Sequence, residues 1–205
     1  MMNASLETDI VIELVEIYIN TILFARQLYP AGIFRERRAY NIPVHISIFK
    51  PLNEYLARTL RAARELKNRR KLHKIELVVF REEPPAATTL ESYVFELEDR
   101  DFSLQSDDNL LELEEQIRKS LLSLDGRLKA LKKLPSDATF KVLLHTTEAA
   151  YVALGNCSSL QKFPLVKDAS QEERKLGVQQ QSSVQLLPVS HTPTVGVQLY
   201  VEEYL

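Results

Sequence analysis

The residues best suited to catalysis or metal binding are four histidines and one cysteine, scattered along the chain. No two of them have the short spacing of a metal-binding motif, so no metal site is expected at His45, His73, His145 or His191. One alternative is a hydrolase with Cys157 as nucleophile and His145 as base. An ordinary loop thiol, and a histidine that ends a strand, explain the same residues more simply.

Clustered charges offer two further kinds of chemistry. Glu112, Glu114 and Glu115 lie within a helical pattern, where they favour a solvated helix face over an acid–base pair. Two basic runs, Arg35–Arg38 and Lys67–Lys74, could contact phosphate or form the rim of a protein interface. No nucleic-acid recognition motif accompanies them, so a DNA-binding module is kept as the alternative interpretation.

Composition narrows the class of protein. The net charge is −2 and the pI is near 6.1, so affinity for nucleic acid would have to come from a local patch. The single cysteine allows no intrachain disulfide and fits the cytosol or the nucleus. No glycine lies in a phosphate-binding loop pattern. Charges interrupt the apolar run from Ile10 to Leu28, and the start of the chain lacks signal-peptide features, so no membrane association is expected.

The elements that must position these residues are visible as hydrophobic periodicities. Helical spacing predicts three helices, at about Glu7–Tyr29, after Pro51 and after Ser106. The third helix is expected to fray past Gly126. β-branched apolar runs predict strands at Val44–Phe49, Lys74–Phe80, Leu90–Leu97, Thr139–His145 and Val195–Leu205. The stretch from Leu28 to Val44 is predicted as a stiff, basic loop.

A long polar stretch precedes the last predicted strand. Residues 155–194 carry few apolar clusters, and the strand after them must cross the domain to reach a sheet edge. This arrangement predicts a mobile C-terminal segment attached to a core of helices and strands.

Several motifs, in the same order along nearly the whole chain, resemble one family. They are LYPAGIFRERRAYNIPV, LNEYLARTL, YVFEL, FKVLLHTTEAA and QLYVEEYL, between about Ile10 and Glu203. The chain resembles the HORMA-domain accessory subunits of the translesion DNA polymerase zeta, which are relatives of the spindle-checkpoint HORMA proteins. The first motif is long and specific, and departures from the family are concentrated in residues 98–138 and 151–185.

The resemblance implies a single α+β HORMA domain over residues 1–205, with three helices packed on a mainly antiparallel sheet. A core of about residues 8–150 would precede a segment, residues 151–205, that in this family wraps a partner peptide like a safety belt. The resemblance also implies a non-catalytic adaptor without cofactors. Its expected place is the nucleus, in DNA repair, with the cytoplasm as a second location and the cell cycle as a second role.

Two binding surfaces are implied for such an adaptor. A proline-containing peptide of the catalytic subunit of polymerase zeta would lie as an added strand. The family's contacts for it fall on Tyr29, Tyr55, Leu143 and Leu165, of which Leu165 replaces the usual tryptophan. The C-terminal domain of the scaffold polymerase Rev-one would bind elsewhere, at Leu186, Pro188, Gln198 and Tyr200.

The family also has a surface for self-association and for contact with other HORMA proteins. Its positions fall on Gln27, Glu36, and either Arg118 or Lys119. Gln27 and Glu36 depart from the family's acid and base, which leaves homodimerisation open. DNA would be contacted only indirectly, through the partners.

Overall fold

The computed structural model describes residues 2–83, 87–98, 107–155, 166–167, 187–192 and 196–204. These residues contain the helices α1 (Met2–Ala25), α2 (Lys50–Asn68), α3 (Asp107–Leu128) and α4 (Glu148–Gly155). They also contain the strands β1 (Phe34–Ala39), β2 (Ile42–Ser47), β3 (Leu72–Arg81), β4 (Thr88–Leu97), β5 (Thr139–Thr146), β6 (Leu187–Thr192) and β7 (Val197–Glu203). No helix in the described part is long and apolar enough to cross a membrane.

Helix α1 lies at the centre of the core because it is apolar on almost every side. Val11, Leu14, Tyr18 and Ile22 are all fully buried. A helix that is hydrophobic all round is stable only when other elements cover it. Helices α2 and α3 and the inner face of the sheet contribute to the same buried cluster. The predicted central helix is therefore present, although it ends earlier than expected.

The main sheet has five strands in the order β5-β3-β4-β7-β6, and every neighbouring pair is antiparallel. Successive side chains of a strand point to opposite faces. Ile75, Leu77 and Val79 of β3 thus belong to the core under the helices, whereas Glu76 lies on the outer face. The α+β class and the mainly antiparallel sheet are confirmed.

The strand nearest the C-terminus occupies an interior position. Strand β7 pairs with β4 on one side and with β6 on the other. Val197, Leu199 and Val201 are at most 1% exposed and belong to the core. The late strand does reach the sheet across the domain, as the sequence indicates, and it completes the core there.

The prediction of a loop between Leu28 and Val44 is wrong. A 3₁₀ turn at Ala31–Ile33 leads into a β1–β2 hairpin that forms a separate two-stranded sheet. Its turn residues, Tyr40 and Asn41, have φ values of 48° and 62°, which is the mirror-image turn that matches strand twist. Strand β1 could not be predicted from its sequence, because its four consecutive charged residues lack the alternation of apolar and polar residues that marks a half-buried strand.

Helix α3 continues through Gly126 and ends shortly past it, at Leu128. Leu124 and Leu128 on either side of the glycine are buried in the core. Their contacts outweigh the cost of a glycine inside a helix, which is about 1 kcal/mol. Helix α4 was not predicted, and it contributes Ala150 and Leu154 to the core.

Candidate functional site

In the part of the chain that the structure describes, the edge of the main sheet at β5 is open. Within the described residues β5 pairs only with β3, so alternate backbone groups point away from the sheet. One such group, the N–H of Val142, donates a hydrogen bond to the hydroxyl of Tyr55 on α2, 3.0 Å away. An open edge can accept an additional strand, and Tyr55 lies where that strand would pair.

An aromatic cluster lies beside this edge. Phe140 of β5 packs edge-to-face on Tyr29 and Tyr55, with ring centroids 6.1 and 5.9 Å apart. Phe49, just before α2, lies 6.3 Å from the ring of Tyr29 and is 41% exposed. The cluster brings Tyr29 and Tyr55 together and adds two rings that the sequence analysis missed. Phe140 lies in the predicted strand Thr139–His145, but no local pattern indicates its contacts with Tyr29 and Tyr55.

Burial also changes the acidity of Tyr55. Removal from water raises the pKa of its hydroxyl, and the hydrogen bond from Val142 opposes that rise. The neutral phenol is therefore the stable form, and it can both accept from the strand and donate elsewhere.

Leu143 lies on the opposite face of β5 from the aromatic cluster. Phe140, Val142 and Leu144 pack against the core. Because side chains alternate along a strand, Leu143 points to the outer face. A strand added at β5 would meet aromatic rings on one face and Leu143 on the other. Leu165 lies outside the described residues.

His145 is tied into the sheet. Its Nε2 lies 2.7 Å from one carboxyl oxygen of Glu76, and the hydroxyl of Ser92 donates to the other at 2.5 Å. Burial alone would raise the pKa of Glu76, but the hydrogen bonds from His145 and Ser92 outweigh it and lower the pKa. Glu76 of β3 thus links His145 of the edge strand β5 to Ser92 of β4. Cys157, the nucleophile of the hydrolase alternative, lies outside the described residues.

No group of three or more histidine, cysteine, aspartate or glutamate residues in the described ranges could hold a metal ion. The carboxylates of α3 belong to its solvated surface, as predicted. Glu112 bonds to Gln116, and Glu115 pairs with Lys119 one turn further on.

A buried arginine fixes the turn that carries Tyr29. The guanidinium of Arg26, one residue after α1, bonds to both carboxyl oxygens of Glu91 on β4, at 3.1 and 2.5 Å. It also donates to two backbone carbonyls at and beyond the end of α3. Arg26 is 7% exposed, and a buried charge is tolerated only with such partners. This network was not visible in the sequence.

Gln27 ends helix α1. Its φ of 56° is left-handed, and the N–H groups of Gln27 and Leu28 donate to the carbonyls of Phe24 and Leu23, both at 3.1 Å. This is the Schellman ending, in which glycine is the usual residue. The side chain of Gln27 is exposed, as is that of Glu36 on the separate β1 strand.

The two candidate cations of α3 differ in their surroundings. Arg118 holds the tip of the hairpin: its Nε donates to the carbonyl of Tyr40 at 3.2 Å, and it pairs with Glu114 at 3.1 Å. Lys119 is 73% exposed, and its ion pair among the described residues is along its own helix, with Glu115 at 2.7 Å. Lys119 is therefore better placed than Arg118 to meet a second protein.

The C-terminal hairpin brings together the described residues of the implied Rev-one surface. Gln198 and Tyr200 lie on the outer face of β7, and the register places Pro188 of β6 opposite Tyr200. The hydroxyl of Tyr200 donates to Glu96 of β4 at 3.1 Å. Burial and this carboxylate raise the pKa of Tyr200 to about 12. Leu186 lies just outside the described residues.

The two basic runs lie on different elements. Lys67 is 5% exposed, and its Nζ is 3.5 Å from the carboxylate of Glu7 on α1. The expectation that the whole run Lys67–Lys74 could face phosphate is therefore wrong at its first residue. The arginines of Arg35–Arg38, in contrast, are exposed along β1.

Relatives among known proteins agree with this architecture. The family model described as the HORMA domain matches residues 8–186. DNA polymerase zeta subunit 2 of Drosophila melanogaster is 37% identical over 98% of this chain and 98% of its own length. Mitotic spindle assembly checkpoint protein MAD2B of Homo sapiens is 30% identical, over 95% of this chain and 90% of its own.

Solved structures give the same fold. A chain of the mitotic checkpoint complex aligns with a TM-score of 0.73 and 18% identity, covering 97% of this chain and 98% of that one. The C. elegans protein HTP-2, bound to the HIM-3 closure motif, aligns with a TM-score of 0.64 and 16% identity, over 96% and 88%. The family match, the full-length relatives and the shared fold lead to one conclusion: the chain belongs to the HORMA-domain family.

Proposed function

We propose that this chain is a non-catalytic adaptor of translesion DNA synthesis. It clasps a proline-containing peptide of the catalytic subunit of polymerase zeta along β5, and it binds the C-terminal domain of Rev-one through the β6–β7 hairpin. The observation that carries the proposal is the open β5 edge, with Tyr55 bonded to the backbone of Val142.

The β5 edge has the two components that peptide recognition by strand addition requires. Backbone groups of β5 supply hydrogen bonds that hold any extended segment, and side-chain contacts on the two faces supply specificity. The rings of Tyr29, Tyr55 and Phe140 are half-buried and form an apolar surface beside the edge. Such a surface suits the rigid ring of proline, which buries area without losing rotamer freedom.

The names of related proteins support this assignment. The fly relative is named as a subunit of polymerase zeta, and the HTP-2 structure contains a bound closure motif. An accessory polymerase subunit with a peptide-binding HORMA fold needs no catalytic residues of its own.

The Rev-one surface is separate from the peptide edge. Strands β3 and β4 lie between β5 and β7, a separation of about 14 Å at the usual spacing of strands. Tyr200 and Pro188 are side by side in the hairpin, and tyrosine is a common anchor in protein interfaces. The two partners can therefore bind at the same time, and the chain bridges them.

The remaining assignments follow from the same role. The protein would act in the nucleus and reach DNA only through its partners. A cytoplasmic pool and a cell-cycle role are supported by the checkpoint name of the human relative. Contact with a second HORMA protein would use the exposed Lys119.

Paired substitutions test the bridge. Tyr55→Ala is expected to weaken binding of a polymerase zeta peptide by roughly 1–3 kcal/mol, the usual loss at an interface hot spot. Tyr200→Ala is expected to cause a loss of about the same size for the Rev-one domain alone. Calorimetry measures the binding free energy of each variant for the polymerase zeta peptide and for the Rev-one domain. If each variant loses both ligands equally, the two sites are not separate.

A direct DNA-binding module is the weaker candidate. Lys67 is buried against Glu7, and the neighbouring Arg69 pairs with Glu65, so the second basic run presents few free cations. Binding of duplex DNA by the isolated protein, with a steep dependence on salt, would favour this candidate.

A further inference from the structure

A second strand edge without a partner among the described residues belongs to β1, apart from the main sheet. Strand β1 pairs with β2, and the two form a sheet of their own. Residues that flank a two-residue turn form a hydrogen-bonded pair, and such pairs alternate with pairs whose backbone groups point outward. Counting from Ala39, the outward backbone groups of β1 include those of Glu36 and Arg38. Among the described residues, neither makes a backbone hydrogen bond on that side.

The register supports this assignment. Arg38 lies opposite Pro43, and proline has no N–H to donate. A proline is tolerated at a position whose backbone does not bond to the partner strand. Arg38 and Pro43 therefore form a pair without hydrogen bonds between them, and the backbone N–H and C=O of Arg38 point away from β2.

The side chains along this edge carry an unbalanced charge. Arg35, Arg37 and Arg38 are exposed, and none has an ion pair within the described residues. Their opposite residues on β2 are apolar, namely Ile46, Val44 and Pro43. Two arginines near the end of α2 do have partners: Arg64 pairs with Asp9, and Arg69 pairs with Glu65. Counted against the described residues alone, the strand therefore holds three cations without an ion pair and the single anion Glu36.

The hairpin is held in place before any partner arrives. Phe34, at the start of β1, is 4% exposed and packs edge-to-face on Phe24 of α1, with ring centroids 5.4 Å apart. At the other end, Asn41 donates to Glu114 of α3 at 3.0 Å, and Arg118 donates to the backbone of the turn. A strand fixed at both ends loses little freedom when a partner binds.

We propose that β1 is a second strand-binding edge, which takes an extended acidic segment of a partner protein. The segment pairs with the outward backbone groups of Glu36 and Arg38. Its carboxylates lie against the arginines, and a cation lies against Glu36. Opposite charges on neighbouring strands stabilise pairing, and like charges oppose it, so the charge order of the segment decides its affinity.

The chemistry of the edge favours a peptide over nucleic acid. A row of free amide and carbonyl groups complements a peptide backbone, whereas a phosphate backbone offers no N–H for the carbonyls. Glu36 would repel phosphates, whereas a peptide can place a lysine opposite it. The arginines also keep the β1 edges of two copies of the protein from pairing, because like charges repel. A segment with the complementary charges neutralises the arginines and can pair.

Labelled synthetic peptides test the proposal by fluorescence anisotropy and by amide chemical shifts. The probe is a short extended peptide with acidic residues and one lysine in the order complementary to Arg35–Arg38. Its charge-swapped counterpart is the control for charge complementarity. Binding should shift the amide signals of Glu36 and Arg38 and leave that of Val142 unchanged. Arg37→Glu should weaken binding by about tenfold or more through reversed charge. Arg61→Glu, at an exposed arginine of α2, should leave it unaltered.

Backbone methylation distinguishes strand pairing from attraction between charges. Peptides N-methylated at alternate residues lose the hydrogen bonds of one edge only, so one methylation series should lose binding and the other should retain it. Equal loss in both series, or equal binding of the charge-swapped peptide, would overturn the proposal. Tighter binding of a single-stranded oligonucleotide that Arg37→Glu also abolishes would assign the edge to nucleic acid and overturn it too.

Discussion

The hydroxyl of Tyr55 accepts a hydrogen bond from the backbone N–H of Val142, so a helix side chain occupies a pairing position of the edge strand. The bond satisfies a backbone donor that would otherwise need water. It also means that an incoming strand meets a tyrosine hydroxyl, not a bare amide, at the centre of β5.

Tyr55→Phe separates the hydroxyl from the ring. The variant keeps the aromatic contact with Phe140 but frees the N–H of Val142, so amide hydrogen exchange at Val142 should become faster in the free protein. A bound peptide should restore protection there, because its carbonyl takes the place of the hydroxyl. If peptide binding leaves exchange at Val142 fast in this variant, the added strand does not pair at this position.

Arg26→Met tests the network that positions Tyr29. The substitution leaves Glu91 buried without its cation, which costs roughly 3–5 kcal/mol of unfolding free energy in comparable buried pairs. Urea unfolding measures this loss. The control is Arg64→Met, whose half-exposed pair with Asp9 spans 3.4 Å and should be worth about 1 kcal/mol or less. Similar losses in both variants would mean that burial of the pair is unimportant.

Removal of the residues after Gly155 is expected to unfold the protein, beyond any effect on peptide binding. The deletion takes Val197, Leu199 and Val201 out of the core. Each buried aliphatic side chain contributes about 1.5–3 kcal/mol, and the three together rival the total stability of a domain, roughly 5–15 kcal/mol. Circular dichroism and thermal melting of the truncated chain provide the test. The control Gln198→Ala, on the outer face of β7, should melt close to the wild type.

Glu76 should make stability sensitive to acid. Its pKa is lower in the folded protein than in the unfolded chain, so ionised Glu76 favours folding. This contribution is complete above the ordinary pKa of glutamate and is lost as the pH falls towards the lowered value. Glu76→Gln should therefore flatten the loss of unfolding free energy between about pH 5 and pH 3. Glu112→Gln, on the exposed surface of α3, should not change the slope.

Local patterns explain which parts of the fold could be predicted. Helix α1 and strand β3 carry long apolar periodicities, and these depend only on neighbouring residues. Strand β1 carries four charges in succession and was missed, because its pairing with β2 and its anchoring by α3 come from tertiary contacts. The left-handed residues Gln27 and Arg70 (φ 54°) end helices without the glycine that would have marked the position.

The residues of the candidate site also divide into those that the sequence could predict and those that it could not. Tyr29 and Tyr55 could be proposed because they lie in motifs that resemble a family. Phe140 could not be placed beside them, since its ring contacts join segments that are far apart in the chain. The pair of Arg26 and Glu91 joins positions on different elements, and a single sequence gives no sign of such a partnership.

The interior position of β7 has a consequence for how the protein is made. Val94 of β4 pairs with Tyr200, about a hundred residues later in the chain. The core cannot close until residues 197–203 have left the ribosome, and until then the edge of β4 and the apolar faces around it are exposed. Proteins dominated by such distant pairings fold slowly and are prone to aggregate while incomplete. The nascent chain is thus expected to depend on chaperones until strand β7 is released.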